Sequence, residues 1–347
     1  MLTLNRLKQA AALSVLPIAA TLVPAQAQAE EVNIYSYRQA FLIEPILDAF
    51  TEETGIKANV VFAKKGLVER LENEGQNSKA DLVLTADSGR LYDVVNRGLT
   101  QPIDSAVIDA NIPAHYRDPD GQWVALTARS RIVYASKERV KEGELKTYED
   151  LADPKWKGRI CTRSGKHSYN LSLIGSMIAH HGEEGAEKWL EGVKANLARK
   201  PQGNDRAQVK AVKEGVCDLA IGNTYYFGKM LHNTKNPEQV DWANSVNLIF
   251  PNQGDRGAHM NITGAAVTKY APNKEAAVKL IEFLSGAKAQ EMYAQVNYEF
   301  PVRPGTPLAG LVKEHMSDFK GDQLSLAEVA KNRAAAAKLV DKVGFDN

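Results

Sequence analysis

Short strand-like runs and helical runs alternate along this chain, and the alternation begins a second time in its middle. Glu31–Ser36 (EVNIYS) alternates as a strand does, and in the following IEPILDAFTEETG the residues Ile43, Ile46, Leu47 and Phe50 recur at helical spacing up to Gly55, a helix stop. KANVVFA reads as a second strand, LVERLENEG as a helix, ADLVLTAD as a third strand and GRLYDVVNRG as another helix. Such a succession predicts a mainly parallel sheet with helices on both faces. After RIVYAS and the turn-rich TYEDLADPKWKGR the pattern starts afresh. It runs through strand RICTRS, a helix within NLSLIGSMIAHHG, a long helix through EEGAEKWLEGVKANL, helix AQVKAVKEG and strand VCDLAIGN. From Ser245 to Val267 the chain is strand-like again (VNLIFPN, ITGAAV), and it ends in KEAAVKLIEFLSG and further Ala- and Lys-rich helices.

A restart of this kind needs enough chain for two cores. MLTLNRLKQ carries two cations and no acid, the apolar run behind it falls short of a spanning length, and small residues follow at Ala25, Ala27 and Ala29. Residues 1–29 therefore read as a signal peptide cut after Ala27 or Ala29, which predicts export to the periplasm. Without a Cys just after the leader no lipid anchor is expected, and no later segment is long and apolar enough to span a membrane. Removing the leader leaves about 320 residues, more than one hydrophobic core usually organises. The expected division is a first lobe of 30–128 plus 262–310, a second lobe of 129–261 inserted into it, and helices 311–347 packing on both. Two chain crossings make a hinge, and a ligand is expected in the cleft, beyond the carboxyl ends of the strands.

Enzyme signatures are absent. Gly-x-Ser-x-Gly, His-Glu-x-x-His and Gly-x-Gly-x-x-Gly do not occur, and Ser164-Gly165-Lys166-His167 lacks the upstream Gly and the Ser/Thr of a phosphate-binding loop. His180-His181 ends an apolar helix and reads as a solvated helix end rather than a metal site. A net charge of +1 without a basic stripe excludes nucleic acid as the expected partner. Cys161 and Cys217 would enter an oxidising compartment on export, as a disulfide or as two buried thiols.

The unusual feature is tyrosine where strands end and helices begin. Tyr225 and Tyr226 follow strand CDLAIG directly, with Asn223 or Thr224 placed to cap the next helix. On a first helical turn adjacent side chains diverge by about 100°, so both hydroxyls can face one point. Tyr169 stands in the loop after RICTR, and Tyr37 follows the first strand in the other lobe. A phenol with a pKa near 10 becomes an anionic ligand at neutral pH only beside strong positive charge, and hard oxygen donors match a hard metal. Three phenolates balance Fe³⁺. Arg38, Arg129 and Arg131, near the expected cleft and hinge, can grip an accompanying anion through two parallel hydrogen bonds. The alternative for Arg129 and Arg131 is surface charge on strand TARSRIVYA.

Across essentially the whole mature chain these residues resemble the ferric-iron-binding periplasmic proteins of bacterial ABC importers, the Fbp/Fut type. The likeness is carried by YSYRQ from Tyr35, ADLVLTAD with Arg90-Leu91, TYEDLADPKWKGR, SYNLSL around Tyr169, PQGNDRAQVKAV from Pro201, NTYYFGKML from Asn223 and PNQGDRGAHMNITGAAV from Pro251. It implies a two-lobed type II periplasmic binding protein fold, α/β, with a hinge and an interlobe cleft. It further implies a monomer without catalytic activity that delivers Fe³⁺ to an inner-membrane ABC permease. By this resemblance Tyr169, Tyr225 and Tyr226 ligate iron. Tyr37 is a further ligand or a supporting residue, and a carbonate or bicarbonate anion is held by arginine. Gln39 and Asn223 stand behind the ligands. Some relatives place a His-Tyr pair where this chain reads Gln39-Ala40, which points to the subgroup with three tyrosines and an anion. The alternative on the same fold is a carrier of an oxyanion or small organic solute.

Overall fold

The computed structural model describes residues 30–308 and 310–347; the signal-peptide reading of residues 1–29 lies outside them. The first half alternates as expected: β1 (Glu31–Ser36), α1 (Ala40–Thr54), β2 (Lys57–Phe62), α2 (Leu67–Glu74), β3 (Leu82–Thr85), α3 (Ser88–Asn96), α4 (Ala106–Asn111) and the long β4 (Val124–Ser136). The middle contains β5 (Ile160–Cys161), α5 (Ser168–Ala195), α6 (Asp205–Lys213), β6 (Leu219–Asn223), α7 (Tyr225–Leu231), α8 (Glu238–Asn244) and β7 (Val246–Ile249). The chain closes with β8 (Met260–Val267), α9 (Lys274–Ser285), α10 (Ala287–Asn297), β9 (Phe300–Pro301), α11 (Gly310–Met316), α12 (Leu326–Lys331) and α13 (Arg333–Val343). The two helices expected between Asn170 and Leu197 are both present, running on from one another within α5 across a kink at Gly182, whose φ of 72° and ψ of 170° are non-helical.

The sheet order is β2-β1-β3-β8-β4-β6-β5, with β7 and β9 also pairing β4. The expectation of a mainly parallel sheet needs correction. Only β1 with β2, β1 with β3, and β5 with β6 are parallel, whereas β8 is antiparallel to β3 and β4, and β4 to β6, β7 and β9. The physical reason is that β4 and β8 join the two lobes in opposite directions, so they run antiparallel wherever they lie side by side.

Every residue of β4 is buried. Val124–Leu126 and Ala128 pack in the core of the first lobe with β1, β3, α1 and α9, while Ile132–Ala135 belong to the two cores of the second lobe. Between these apolar stretches lie Arg129, Ser130 and Arg131, so the polar residues of β4 fall where one core ends and the next begins. The lobes meet again at α7. A Cβ on Gly228 would stand 2.2 Å from the Tyr298 ring, so only glycine permits this approach. Lys229 Nζ donates to Val296 O at 2.7 Å, and the His232 ring stacks on Tyr298 with centroids 5.2 Å apart. Near the end of the chain α12 packs on both α3 and α5, and α13 lies along α5. No helix among the described residues is long and apolar enough to cross a membrane.

Candidate metal centre

The three tyrosines of the second-lobe junctions come together. Tyr169 is the second residue of α5, and its N–H donates to Nδ1 of His167, the helix cap, at 3.2 Å. Tyr225 and Tyr226 open α7, their ring centroids 4.4 Å apart. The Tyr225 hydroxyl donates to the Tyr169 hydroxyl at 3.2 Å, which joins two junctions 56 residues apart. The expected capping of α7 does not occur. Thr224 is helical in backbone and makes no side-chain cap; its Oγ1 accepts from Ser130 N, and Asn223 Oδ1 accepts from Arg131 Nη1 at 2.8 Å. Both side chains tie the junction to β4 instead.

One carboxylate that the sequence reading passed over holds this arrangement. Asp205, fully buried on the first turn of α6, accepts from Arg131 Nη1 at 3.2 Å, Arg163 Nη1 at 3.0 Å and Asn223 N at 3.0 Å. Arg131 Nε donates to Asn170 Oδ1 at 2.9 Å, and Asn170 Nδ2 donates to the carbonyls of Arg163 and Ser164. The network therefore links the loop before Tyr169 to the loop before Tyr225. Arg163 and Asp205 carry no sequence signal of their own, since an acid after Asn204 reads as an ordinary helix start.

The guanidinium groups of Arg129, Arg131 and Arg163 lie 5.9, 5.9 and 5.3 Å from the centroid of the Tyr169 ring. Arg129 and Arg131 are each only 2% exposed, which removes the surface-charge alternative for TARSRIVYA. Two buried cations and the partly buried Arg163 stand against the single carboxylate of Asp205. Several of their donors have no partner among the described residues, Nε and Nη2 of Arg129, Nη2 of Arg131 and Nε of Arg163, and neither does Nδ2 of the neighbouring Asn223. Each such donor costs about 1–3 kcal/mol of desolvation, so their concentration here marks a place suited to anionic oxygen. Arg129 uses only Nη1, on Thr263 Oγ1 at 3.1 Å, which leaves one guanidinium edge for a two-oxygen acceptor.

Tyr225 and Tyr226 are neutral as they stand. Burial, then the neighbouring Tyr169 and Tyr226, push Tyr225 well above its ordinary value, and burial, Tyr169 and Asp205 raise Tyr226. Burial and Arg163 lower His167 to about 3, so its Nδ1 remains an acceptor for Tyr169 N. Among the described residues no three of His, Cys, Asp and Glu converge to hold a metal ion. His180 and His181 are instead bound to Asp322 and Glu149.

The first-lobe residues lie differently. Tyr37 packs against Tyr35, Leu67, Val68 and Val83, its hydroxyl accepts from Val68 N at 3.0 Å, and Arg90 stacks 4.5 Å from its ring centroid. Arg38 is locked to both oxygens of Glu299, at 3.0 and 2.5 Å, and donates to Thr263 Oγ1 at 2.7 Å. Gln39 is exposed at the start of α1 without a capping bond. Cys161 in β5 and Cys217 just before β6 are joined as a disulfide, with Cα atoms 5.9 Å apart.

Residues 77–320 match the family model described as bacterial extracellular solute-binding protein. The chain is 44% identical to iron uptake protein A1 of Synechocystis sp. over 91% of its length and 88% of that protein's. Among solved structures it is similar to the apo ferric ion-binding protein A of Pasteurella haemolytica, with a TM-score of 0.88, 52% identity, and coverage of 92% of this chain and 99% of that one. A Trichodesmium protein solved in complex with iron and citrate superposes with a TM-score of 0.85 at 42% identity, covering 91% of this chain and 99% of the other. These proteins share the two-lobed periplasmic binding fold.

Proposed function

This chain belongs to the bacterial extracellular solute-binding proteins, and we propose that it binds ferric iron between its lobes in the periplasm and passes it to the permease of an ABC importer. Tyr169, Tyr225 and Tyr226 supply the ligands as phenolates. The observation that carries the reading is the meeting of the Tyr169 and Tyr225 hydroxyls beside a buried arginine edge with unmatched donors. The names of the relatives support the same cargo.

On this reading the proton is the competitor. Tyr225 and Tyr226, raised by burial and by their tyrosine neighbours, stay protonated until a trivalent cation displaces their protons, and with Tyr169 three phenolates then balance its charge. Arg129 holds a carbonate or bicarbonate-like anion through Nε and Nη2. Arg131 and Arg163 are engaged by Asp205, and Arg38 by Glu299, so these serve the frame rather than the anion. Tyr37, whose oxygen already accepts a backbone N–H, stays with the packing of the first lobe. No reaction is catalysed, and the protein works as a monomer.

Metal analysis with an absorption spectrum on protein isolated from the periplasm tests the reading. One ferric ion per chain with a visible phenolate-to-iron band is the expected result. The unmatched donors also suit an oxyanion carried alone. Protein that stays colourless and iron-free after incubation with ferric citrate, yet retains an oxyanion, establishes that second reading instead.

A further inference from the structure

We propose that Asp346, at the far end of the chain, is a positioning residue for Tyr169, an inference that rests on the tyrosine site proposed above. The loop from β5 to α5 presents three donors at its bend, and one carboxylate distant in sequence meets all of them. Gly165 N donates to Asp346 Oδ1 at 2.7 Å, Ser164 Oγ to Oδ2 at 2.6 Å, and Lys166 N to Oδ2 at 3.4 Å. Such charge-assisted bonds are roughly twice as strong as neutral ones.

The tail lies directly against this loop. Phe345 is buried in the same core as Leu173 and Ile174 of α5, and a Cβ on Gly165 would stand 2.8 Å from its ring and 3.0 Å from Val340. The tail is itself fixed by Lys194 Nζ, which donates to Val343 O at 2.7 Å. From the loop the restraint reaches the ligand in two short steps. The Ser164 carbonyl accepts from His167 N at 3.1 Å and from Asn170 Nδ2 at 3.1 Å, and His167 Nδ1 accepts from Tyr169 N. Asp346 thus closes the bend whose far side sets the first turn of α5. Without it, Gly165 N loses its acceptor, Lys166 N keeps only Ser164 Oγ at 3.2 Å, and the turn that aims the Tyr169 hydroxyl at Tyr225 loses one wall. The nearby pair of Lys166 with Asp341 is solvent-exposed, 55% and 63%, and contributes little.

The test is a double-mutant cycle on iron affinity, measured by citrate competition on full-length mature protein. Asp346→Ala is expected to weaken iron binding about 10- to 100-fold, the range typical of residues that orient metal ligands, and to lower the intensity of the phenolate-to-iron band. Asp346→Asn, which keeps one acceptor oxygen, falls between, and Asp341→Asn matches the parent. In a Tyr169→Phe background, Asp346→Ala should cost less than about threefold, because a residue that acts through Tyr169 has nothing left to position. Equal losses in both backgrounds overturn the proposal and make Asp346 a general stabiliser. Parent-like binding and band by Asp346→Ala, while Tyr169→Phe binds poorly, overturns it too and leaves the tyrosine site standing. A parent that takes up no iron overturns the site and the inference with it. Should Asp346→Ala fold poorly, Asp346→Asn carries the same cycle.

Discussion

Both lobes set an arginine beside a tyrosine that follows a strand, yet the two sites end in different states. In the first lobe the Tyr37 oxygen accepts from Val68 N, and Arg38 is clamped by Glu299 with Thr263. In the second, the Tyr169 and Tyr225 oxygens have each other, and the edge of Arg129 beside them has no partner among the described residues. The same residue types thus leave one lone donor, Arg38 Nε, without a partner in the first lobe, and a whole guanidinium edge on Arg129 with further single donors on Arg131 and Arg163 in the second. Unmet capacity in a buried place is tolerated where a ligand completes it.

The sharpest way to test that contrast is pH, because the steepness of iron release counts the phenolates. Below their raised pKa values Tyr225 and Tyr226 carry protons that iron must expel, so apparent affinity rises with pH. Three expelled protons make it fall about 1,000-fold for each pH unit of acidification, after correction for the competitor's own protonation. A slope near four brings Tyr37 into the ligand set and dissolves the contrast, and a slope near one removes the tyrosine model.

Substitution separates the junctions directly. Tyr225→Phe or Tyr226→Phe keeps the ring and loses the oxygen, and iron affinity by citrate competition should drop more than about 100-fold, beyond the range of supporting residues. Tyr37→Phe should stay within about threefold of that same reference, since its oxygen is already satisfied by Val68 N. If the three variants are indistinguishable, the distinction between the lobes fails.

A smaller effect on iron is expected from the carboxylates behind each junction. Asp205→Asn leaves Arg131 and Arg163 without their buried counter-charge, and should cost about 3–5 kcal/mol of stability together with about tenfold in iron affinity. Glu299→Gln should destabilise comparably, by calorimetry or denaturant titration, while changing iron affinity less than Asp205→Asn does. The folded pKa of Asp205 is depressed, held down against burial by Arg131 and then Arg163. Its contribution is therefore complete above the ordinary carboxylate range near 4 and is lost as pH falls towards the folded value.

The smallest effect on iron should come from reducing the Cys161–Cys217 bridge. It precedes both tyrosine junctions at a sequence separation of 56 and touches neither, so its loss releases about 4 kcal/mol in the chain-entropy model. Melting temperature should fall clearly while iron affinity moves less than threefold. A larger loss of affinity than of stability would falsify the view that the bridge serves the frame alone.

Much of this is legible in the sequence. Apolar alternation locates β1, β2, β3 and β6 because strand patterning is local, and Gly55 and Gly182 mark helix interruptions because left-handed backbone favours glycine. Tyr169, Tyr225 and Tyr226 stand out because a strand end followed by a helix start is also local. Strand direction in the middle of the sheet was not legible, since the pairing of β4 with β8 is made between segments far apart. The same holds for Asp205, Arg163, Glu299 and Asp346. Each looks like ordinary surface charge in one dimension, and its role appears only when a distant loop brings it a buried partner.

The contact of Gly228 with Tyr298 gives α7 a second office. Its first residues are Tyr225 and Tyr226, and one helical turn, about 5.4 Å, brings the chain to the seam between the lobes, where Lys229 reaches Val296 and His232 lies on Tyr298. A rod this short has no room for slack. The two tyrosines and the contact with the opposite lobe thus sit on one short rigid element.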